Sequence, residues 1–222
     1  MTVPSPESDL RQYAPATDRN REPILSVLQD VLPKTGTVLE ISSGTGQHAI
    51  FFAPRLAPRR WLPSDVNPIA VDSIAAWQSH HPCETLYPPI HLDVGQSVWP
   101  IERSLPPELA DTDFDAASIQ AMVNINMIHI SPWAATLGLL AGAQRLLPVG
   151  GILYLYGPYK RNGQHTAPSN AEFDVNLRSR NPEWGIRNLE TVIETAIAHQ
   201  FSLLKIVEMP ANNLSVVFQR TA

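Results

Sequence analysis

Short apolar runs of strand length alternate with stretches of helical period along most of the chain, and this alternation restricts the fold more than any other feature. Residues 37–41 (TVLEI), 60–64, 90–92, 119–125 and 152–156 read as strands. Between them lie helical segments. Ile24, Leu25, Leu28, Val31 and Leu32 share one stripe and predict a helix over residues 20–32, with Pro23 in its first turn, where a missing N–H costs little. Residues 48–53 continue as a helix until Pro54 stops or kinks it. Asn67-Pro68 is a cap and first-turn pair for a helix reaching residue 80. Ser131-Pro132 opens another, striped by Leu137, Leu140, Ala143 and Leu147 and ended by Gly150-Gly151. Capping-box spacing of Ser169 and Glu172 predicts a short helix, and Asn188 caps a last one reaching residue 200. Residues 97–113 are broken by prolines and charges and read as irregular, and residues 1–16 read as an extended arm.

Strands separated by helices pair in parallel, with the helices on both faces of the sheet. The last two apolar runs, 203–208 and 214–219, are separated by the turn-like Pro210-Ala211-Asn212-Asn213. A parallel crossover needs a dozen residues or more, so these two must pair antiparallel. The expected fold is therefore α/β: a Rossmann-like sheet, mostly parallel, with a C-terminal antiparallel hairpin and helices on both faces. The 222 residues suit one domain, 1–222.

Composition narrows the function classes. The chain is 44% hydrophobic, which fits a globular protein, and no apolar run reaches the length of a membrane span. The first fifteen residues lack the basic start and apolar stretch of a signal peptide. Cys83 is the only cysteine, which excludes an internal disulfide and a thiolate metal cluster; together these points favour the cytoplasm. The net charge is -5, from 16 basic and 21 acidic residues, so the basic field that a nucleic-acid binder needs is missing and small-molecule partners rank above polynucleotides. No His/Asp/Glu cluster has metal-ligand spacing.

The chemistry-bearing motif lies between the first strand and its helix: Glu40-Ile41-Ser42-Ser43-Gly44-Thr45-Gly46. Glycines there let backbone approach a ligand at a helix N-terminus. The stretch is similar to motif I of class-I methyltransferases, acidic-x-Gly-x-Gly-x-Gly, with Ser42 in place of the first glycine. In that reading Glu40 receives the ammonium of the methionine moiety of S-adenosylmethionine (SAM). Gly44, Gly46 and Ala49 also match Gly-x-Gly-x-x-Ala, the nicotinamide-cofactor fingerprint. Asp65 closes the second strand, where a carboxylate accepts from both ribose hydroxyls, or alternatively makes an Asx-turn before Asn67-Pro68. Asp93 follows the third strand and is a candidate for the adenine amino group. Asn124, Asn126 and His129 sit at the carboxyl end of the fourth strand, where ligands of open α/β sheets bind. His129 either takes a proton from an acceptor, orients it, or bonds only to backbone. Tyr156 and Tyr159 are candidate walls of an acceptor pocket, with the loop 161–170 as a lid.

From Tyr13 to Val217 the chain resembles the methyltransferase-like 26 family. The match is carried by Tyr13-Ala-Pro-Ala-Thr-Asp-Arg-Asn-Arg-Glu-Pro-Ile, Leu39-Glu-Ile-Ser-Ser-Gly-Thr-Gly-Gln-His-Ala, Asn126-Met-Ile-His-Ile-Ser-Pro-Trp, Tyr156-Gly-Pro-Tyr, Thr166-Ala-Pro-Ser-Asn, Trp184-Gly-Ile-Arg and Glu208-Met-Pro-Ala-Asn-Asn-Leu. The resemblance implies a class-I methyltransferase fold and supplies no substrate. It also implies that the N-terminal helix covers the cofactor mouth, with Arg19 or Asn20 near the SAM carboxylate and Tyr13 closing the pocket. The expectation is SAM-dependent methyl transfer to a small-molecule acceptor. The cofactor contacts are Glu40, Gly44, Gly46, Asp65, Asp93, Asn124, Arg19 and Tyr13, and the acceptor side is Asn126, His129 and Tyr159. A non-catalytic SAM-binding protein and a nicotinamide-dependent oxidoreductase are the alternatives.

Overall fold

A computed structural model describes residues 9–222. Its centre is β1 (Thr37–Ile41), whose five residues are all buried. Such a strand has no solvent face, so even its polar residues, Thr37 and Glu40, are buried. β1 pairs in parallel with β2 (Arg60–Asp65) on one side and β4 (Ile119–Ile125) on the other. β3 (Ile90–His91) extends the β2 side, and β5 (Ile152–Arg161) the β4 side. β8 (Phe201–Met209) and β9 (Asn213–Arg220) form the antiparallel hairpin, with β9 against β5. The path is β3-β2-β1-β4-β5-β9-β8, and short strands β6 (Gln164–His165) and β7 (Arg187–Asn188) pair with the far end of β5. The sheet thus has the expected mostly parallel topology with a terminal hairpin.

Helices cover both faces. α1 (Pro15–Val31), α2 (Gln47–Arg55) and α3 (Pro68–His80) lie on the N-terminal half of the chain. A core built on Ile24, Leu28, Phe52, Trp61, Val123 and Tyr154 packs α1 and α2 against the sheet. A one-turn α4 (Pro100–Arg103) follows, then α5 (Trp133–Leu146), α6 (Pro168–Arg180) and α7 (Leu189–Ala198). The second core joins α5 and α7 to the opposite face through Leu39, Met122, Leu139, Leu153, Val192 and Phe218. Among the described residues no helix is long and apolar enough to cross a membrane.

Several expectations need correction, among them the irregular reading of residues 97–113, which contain α4 and a 3-10 turn at Pro107–Leu109. α1 begins at Pro15, five residues before the apolar stripe, so Pro23 lies in the helix interior and not in its first turn. The stripe in fact continues through Thr17 and Asn20, which are buried but polar and so escape a hydrophobic count. α2 runs through Pro54 to Arg55. β5 extends five residues past Tyr156, because Gly157 and Pro158 keep pairing with β9 and the following residues pair with β6 and β7. α6 has 13 residues and starts from Ala167 with Pro168 in its first turn, so the Ser169/Glu172 box is not its cap. Of the arm expected over residues 1–16, positions 1–8 lie outside the described residues; 9–14 carry neither helix nor strand, and 15–16 are helical.

Candidate functional site

Chain order reverses direction across the sheet at β1 and β4, and in open α/β sheets the crevice at the carboxyl ends of such strands is where ligands bind. The loop leaving β1 passes through three left-handed residues, Ser42 (φ 57°), Gly44 (φ 57°) and Gly46 (φ 87°). Serine therefore adopts here the conformation a glycine would take freely. Gly46 is required on a second ground: a Cβ would meet the Ile74 Cα at 2.9 Å. Gly44 faces open space, with nothing within 4 Å of a would-be Cβ. The loop is held from the next strand. Ser43 N–H donates to the Ser64 carbonyl (2.9 Å), and Gly44 N–H donates to Asp65 Oδ2 (2.9 Å). Asp65 Oδ1 accepts from Asn67 N–H (2.9 Å), so both the Asx-turn and the loop brace are present in one carboxylate.

Glu40 is buried, and its Oε2 accepts from Trp61 Nε1 (2.9 Å). Burial pushes its carboxyl up to about 7, against the pull of hydrogen bonds from Trp61 and Ser43, while the Asp65 carboxylate adds to the rise. Asn124 is fully buried and donates from Nδ2 to the Ile41 carbonyl (2.9 Å), tying the end of β4 to the end of β1. Its Oδ1 finds no partner among the described residues. Asp93 is half-buried, accepts from Gly95 N–H (2.8 Å) and lies next to the Leu92 N–H that donates to the Asp65 carbonyl (3.0 Å). The six residues Glu40, Gly44, Gly46, Asp65, Asp93 and Asn124 are thus gathered at the carboxyl ends of β1 to β4.

Asn126 turns the chain out of β4 in a left-handed conformation (φ 67°) and donates its N–H to the Tyr156 carbonyl (2.8 Å). His129 is fully buried in the 3-10 turn that follows. Its Nδ1 accepts from Arg187 N–H (3.3 Å), which puts the ring proton on Nε2. The ring packs edge-on to Tyr159, centroids 4.9 Å apart, and a Cβ on Gly157 would approach its Nε2 to 2.5 Å. Burial, with help from the Arg187 guanidinium, pushes the His129 imidazole down to about 3. Tyr159 is likewise fully buried, and burial pushes its hydroxyl well up; the hydroxyl and His129 Nε2 have no partner among the described residues. His129 and Tyr159 therefore touch each other, and the half-buried Asn126 adjoins the same glycine, its Oδ1 3.2 Å from a would-be Gly157 Cβ.

The segment before α1 lies against the same loop. Gln12 N–H donates to Ser73 Oγ (2.8 Å), and that hydroxyl donates to the Thr45 carbonyl (2.9 Å). Ala14 N–H donates to Gln47 Oε1 (2.6 Å). Tyr13 is exposed and packs edge-on to Trp77, 5.0 Å between centroids, whereas Arg19 is exposed on α1. Asn20 Oδ1 accepts from His48 Nε2 (2.8 Å), and its side chain adjoins the Tyr156 hydroxyl. Gln47, His48 and Ser73 were not expected at the site from sequence. Their only signal is position: Gln47 and His48 open the helix after the glycine loop, and Ser73 lies one turn inside the next helix.

The model of the family described as Protein of unknown function (DUF938) matches residues 11–220. An O-methyltransferase family protein from Burkholderia thailandensis superposes with a TM-score of 0.74 at 13% identity, over 93% of this chain and 58% of that one. Human N-acetylserotonin methyltransferase, in complex with SAM, superposes with a TM-score of 0.71 at 12% identity, over 93% and 53%. An O-methyltransferase family 2 protein from Planctomyces limnophilus, in complex with apigenin, gives 0.67 at 16% identity, over 90% and 62%. The chain thus spans little more than half the length of these structures. At such identities the likeness speaks for the fold, which is the class-I methyltransferase fold. With the family match covering nearly all of its length, the chain belongs to the DUF938 family of proteins of unknown function.

Proposed function

We propose that the chain is a SAM-dependent methyltransferase acting on a small-molecule acceptor. The observation that carries this reading is the loop at the switch point: a left-handed Gly44 that opens onto free space while its N–H is held on the Asp65 carboxylate of the adjacent strand. This arrangement suits a nucleoside-bearing cofactor, with backbone approaching from one strand and a carboxylate from the next. The orphaned Asn124 Oδ1 adds an acceptor beside them. Asp65 and Asp93 would hold the nucleoside, and the 42–46 loop with Asn124 the rest. Tyr13 would close the mouth, and the exposed Arg19 would reach in from α1. Glu40, turned into the core against Trp61, supports the loop from beneath and would meet a ligand ammonium only through it.

When bound, SAM supplies a methyl group already activated on sulfonium. The chain's own residues then have to hold an acceptor and exclude water. In this reading Asn126 touches the acceptor, and His129 and Tyr159 are positioning residues. An imidazole shut from solvent and neutral down to about pH 3 is a poor proton acceptor at neutral pH. The O-methyltransferase neighbours and the apigenin bound to one of them support a small acceptor. The net charge of -5 favours it over nucleic acid. We extend the proposal to one domain, 1–222, working in the cytoplasm. Incubation with methyl-labelled SAM and a fractionated metabolite extract tests it. Label should enter a small-molecule fraction, and an Asn126→Ala variant should lower the rate about 10-fold or more. Transfer of label only to macromolecules would refute the small-acceptor reading.

A further inference from the structure

A cavity of about 390 Å³ lies where the far end of β5 meets α6, β7 and the first turn of α7, and none of the glycine-loop residues lines it. Trp133, Lys160, Arg178, Arg187, Asn188 and Thr191 line it. Beside it lies the buried Asp174, whose carboxylate accepts from Ile186 N–H (2.7 Å) and pairs with Lys160 (2.8 Å), Arg178 (3.3 Å) and His165 (3.3 Å). Asp174 is thus shared between two permanent cations. Arg187 contributes a third and has no carboxylate partner among the described residues. Its guanidinium donates instead to the carbonyls of Ile128 (2.8 Å), Ser131 (2.6 Å) and Glu183 (3.0 Å). Of the acidic residues on the adjoining chain, Glu190 is turned to the β5–β6 turn, where it accepts from Asn162 N–H (3.1 Å), and Glu183, whose backbone carbonyl accepts from Arg187, forms no ion pair among the described residues. Among the residues that line the cavity and Asp174 beside it, one carboxylate stands against three fixed cations, so the lining itself carries an excess of positive charge.

Two further features point the same way. Burial and the neighbouring Arg178 push the Arg187 guanidinium down from its ordinary value, a repulsion that an anion would relieve. The N-cap of α7, Asn188, makes no capping bond and uses its Oδ1 on Gly163 N–H (2.9 Å), and among the described residues no side chain bonds the first-turn N–H groups at the cavity's edge. Trp133 gives the wall an aromatic surface, with the Arg187 guanidinium 5.6 Å from its ring centre.

We propose that this cavity binds the oxyanion group, phosphate or carboxylate, of a small acidic molecule, through Lys160, Arg178 and Arg187. The proposal does not depend on methyl transfer. Through Arg187, which holds the Ile128 and Ser131 carbonyls and the His129 ring, an occupant bears on the turn that presents Asn126.

Calorimetric titration of the full chain with inorganic phosphate and, separately, with acetate tests this, at constant ionic strength set with chloride and without cofactor. At least one should bind saturably at a single site, and the tighter of the two identifies the group. Thr191→Glu puts a negative charge at the cavity without removing a structural pair, and an acidic residue suits the first turn of a helix. It should weaken binding about 10-fold or more, by charge repulsion at short range. Arg178→Gln, at an exposed guanidinium, should do the same if the first variant does not fold. Absence of saturable binding by either anion overturns the site. So does binding that a folded Thr191→Glu or Arg178→Gln chain keeps unchanged, since the anion would then sit elsewhere, the glycine loop included.

Discussion

Glu40 is an acidic residue buried from solvent, and its proton therefore reports on folding. The folded chain keeps that proton up to about pH 7, whereas the unfolded chain loses it near the ordinary value of 4.5. Between these values the folded state binds more protons, so the Glu40 contribution makes stability fall as pH rises from 4.5 to 7 and level off above. Glu40→Gln removes this slope. Comparing urea midpoints at pH 5 and pH 8, wild type should lose up to about 3 kcal/mol more than the variant; equal losses would show that the carboxyl is solvated. His48 and His129 act with the opposite sign. Burial pushes them down to about 4 and about 3, so the folded chain refuses protons that the unfolded chain accepts, and stability falls as pH drops below about 6.5. The residue types at the site were legible in the sequence, because acidic and glycine positions at strand ends follow from chain direction. Their burial was not: a histidine three positions after Asn126 gives no hint that Gly157 leaves room for its ring or that Arg187 covers it.

At the scale of elements, runs of buried strand and the glycine breaks between them were legible, as were the terminal hairpin and its direction. The ends of elements were not, and the reason is chemical. α1 continues its buried stripe with Thr17 and Asn20, polar residues that hydrophobic periodicity passes over. The far half of β5 depends on partners far along the chain, β6, β7 and β9, which a local reading cannot supply. The joint between α1 and α2 can be tested at Asn20, whose Oδ1 is the partner of the buried His48 Nε2. Asn20→Ala leaves that N–H unpaired in an apolar setting, next to Phe52, on which the imidazole stacks 5.3 Å away. Chemical denaturation should show a loss of about 1–3 kcal/mol. A loss near zero would mean that α1 sits on the site loosely and that its polar stripe contributes no order there.

Across the whole molecule, the sheet order, the two helical layers and the hairpin make one frame, and its purpose is to bring the ends of β1, β2, β3 and β4 to a common edge. Chain alternation alone was enough to read that frame. It was not enough to choose between a SAM site and a nicotinamide site, because both use a glycine loop and an acidic residue after the second strand. Choosing between them requires the ligand. Calorimetric titration with S-adenosylhomocysteine and with NAD, on wild type and on Asp65→Asn, tests the central claim most directly. The homocysteine compound should bind at one site, and at about 100 times its dissociation constant should stabilise the fold by roughly 2.7 kcal/mol. Asp65→Asn should weaken that binding about 10-fold or more, the order expected for losing a charged hydrogen-bond acceptor, and NAD should give no saturable heat. Saturable NAD binding with none for S-adenosylhomocysteine would contradict the account.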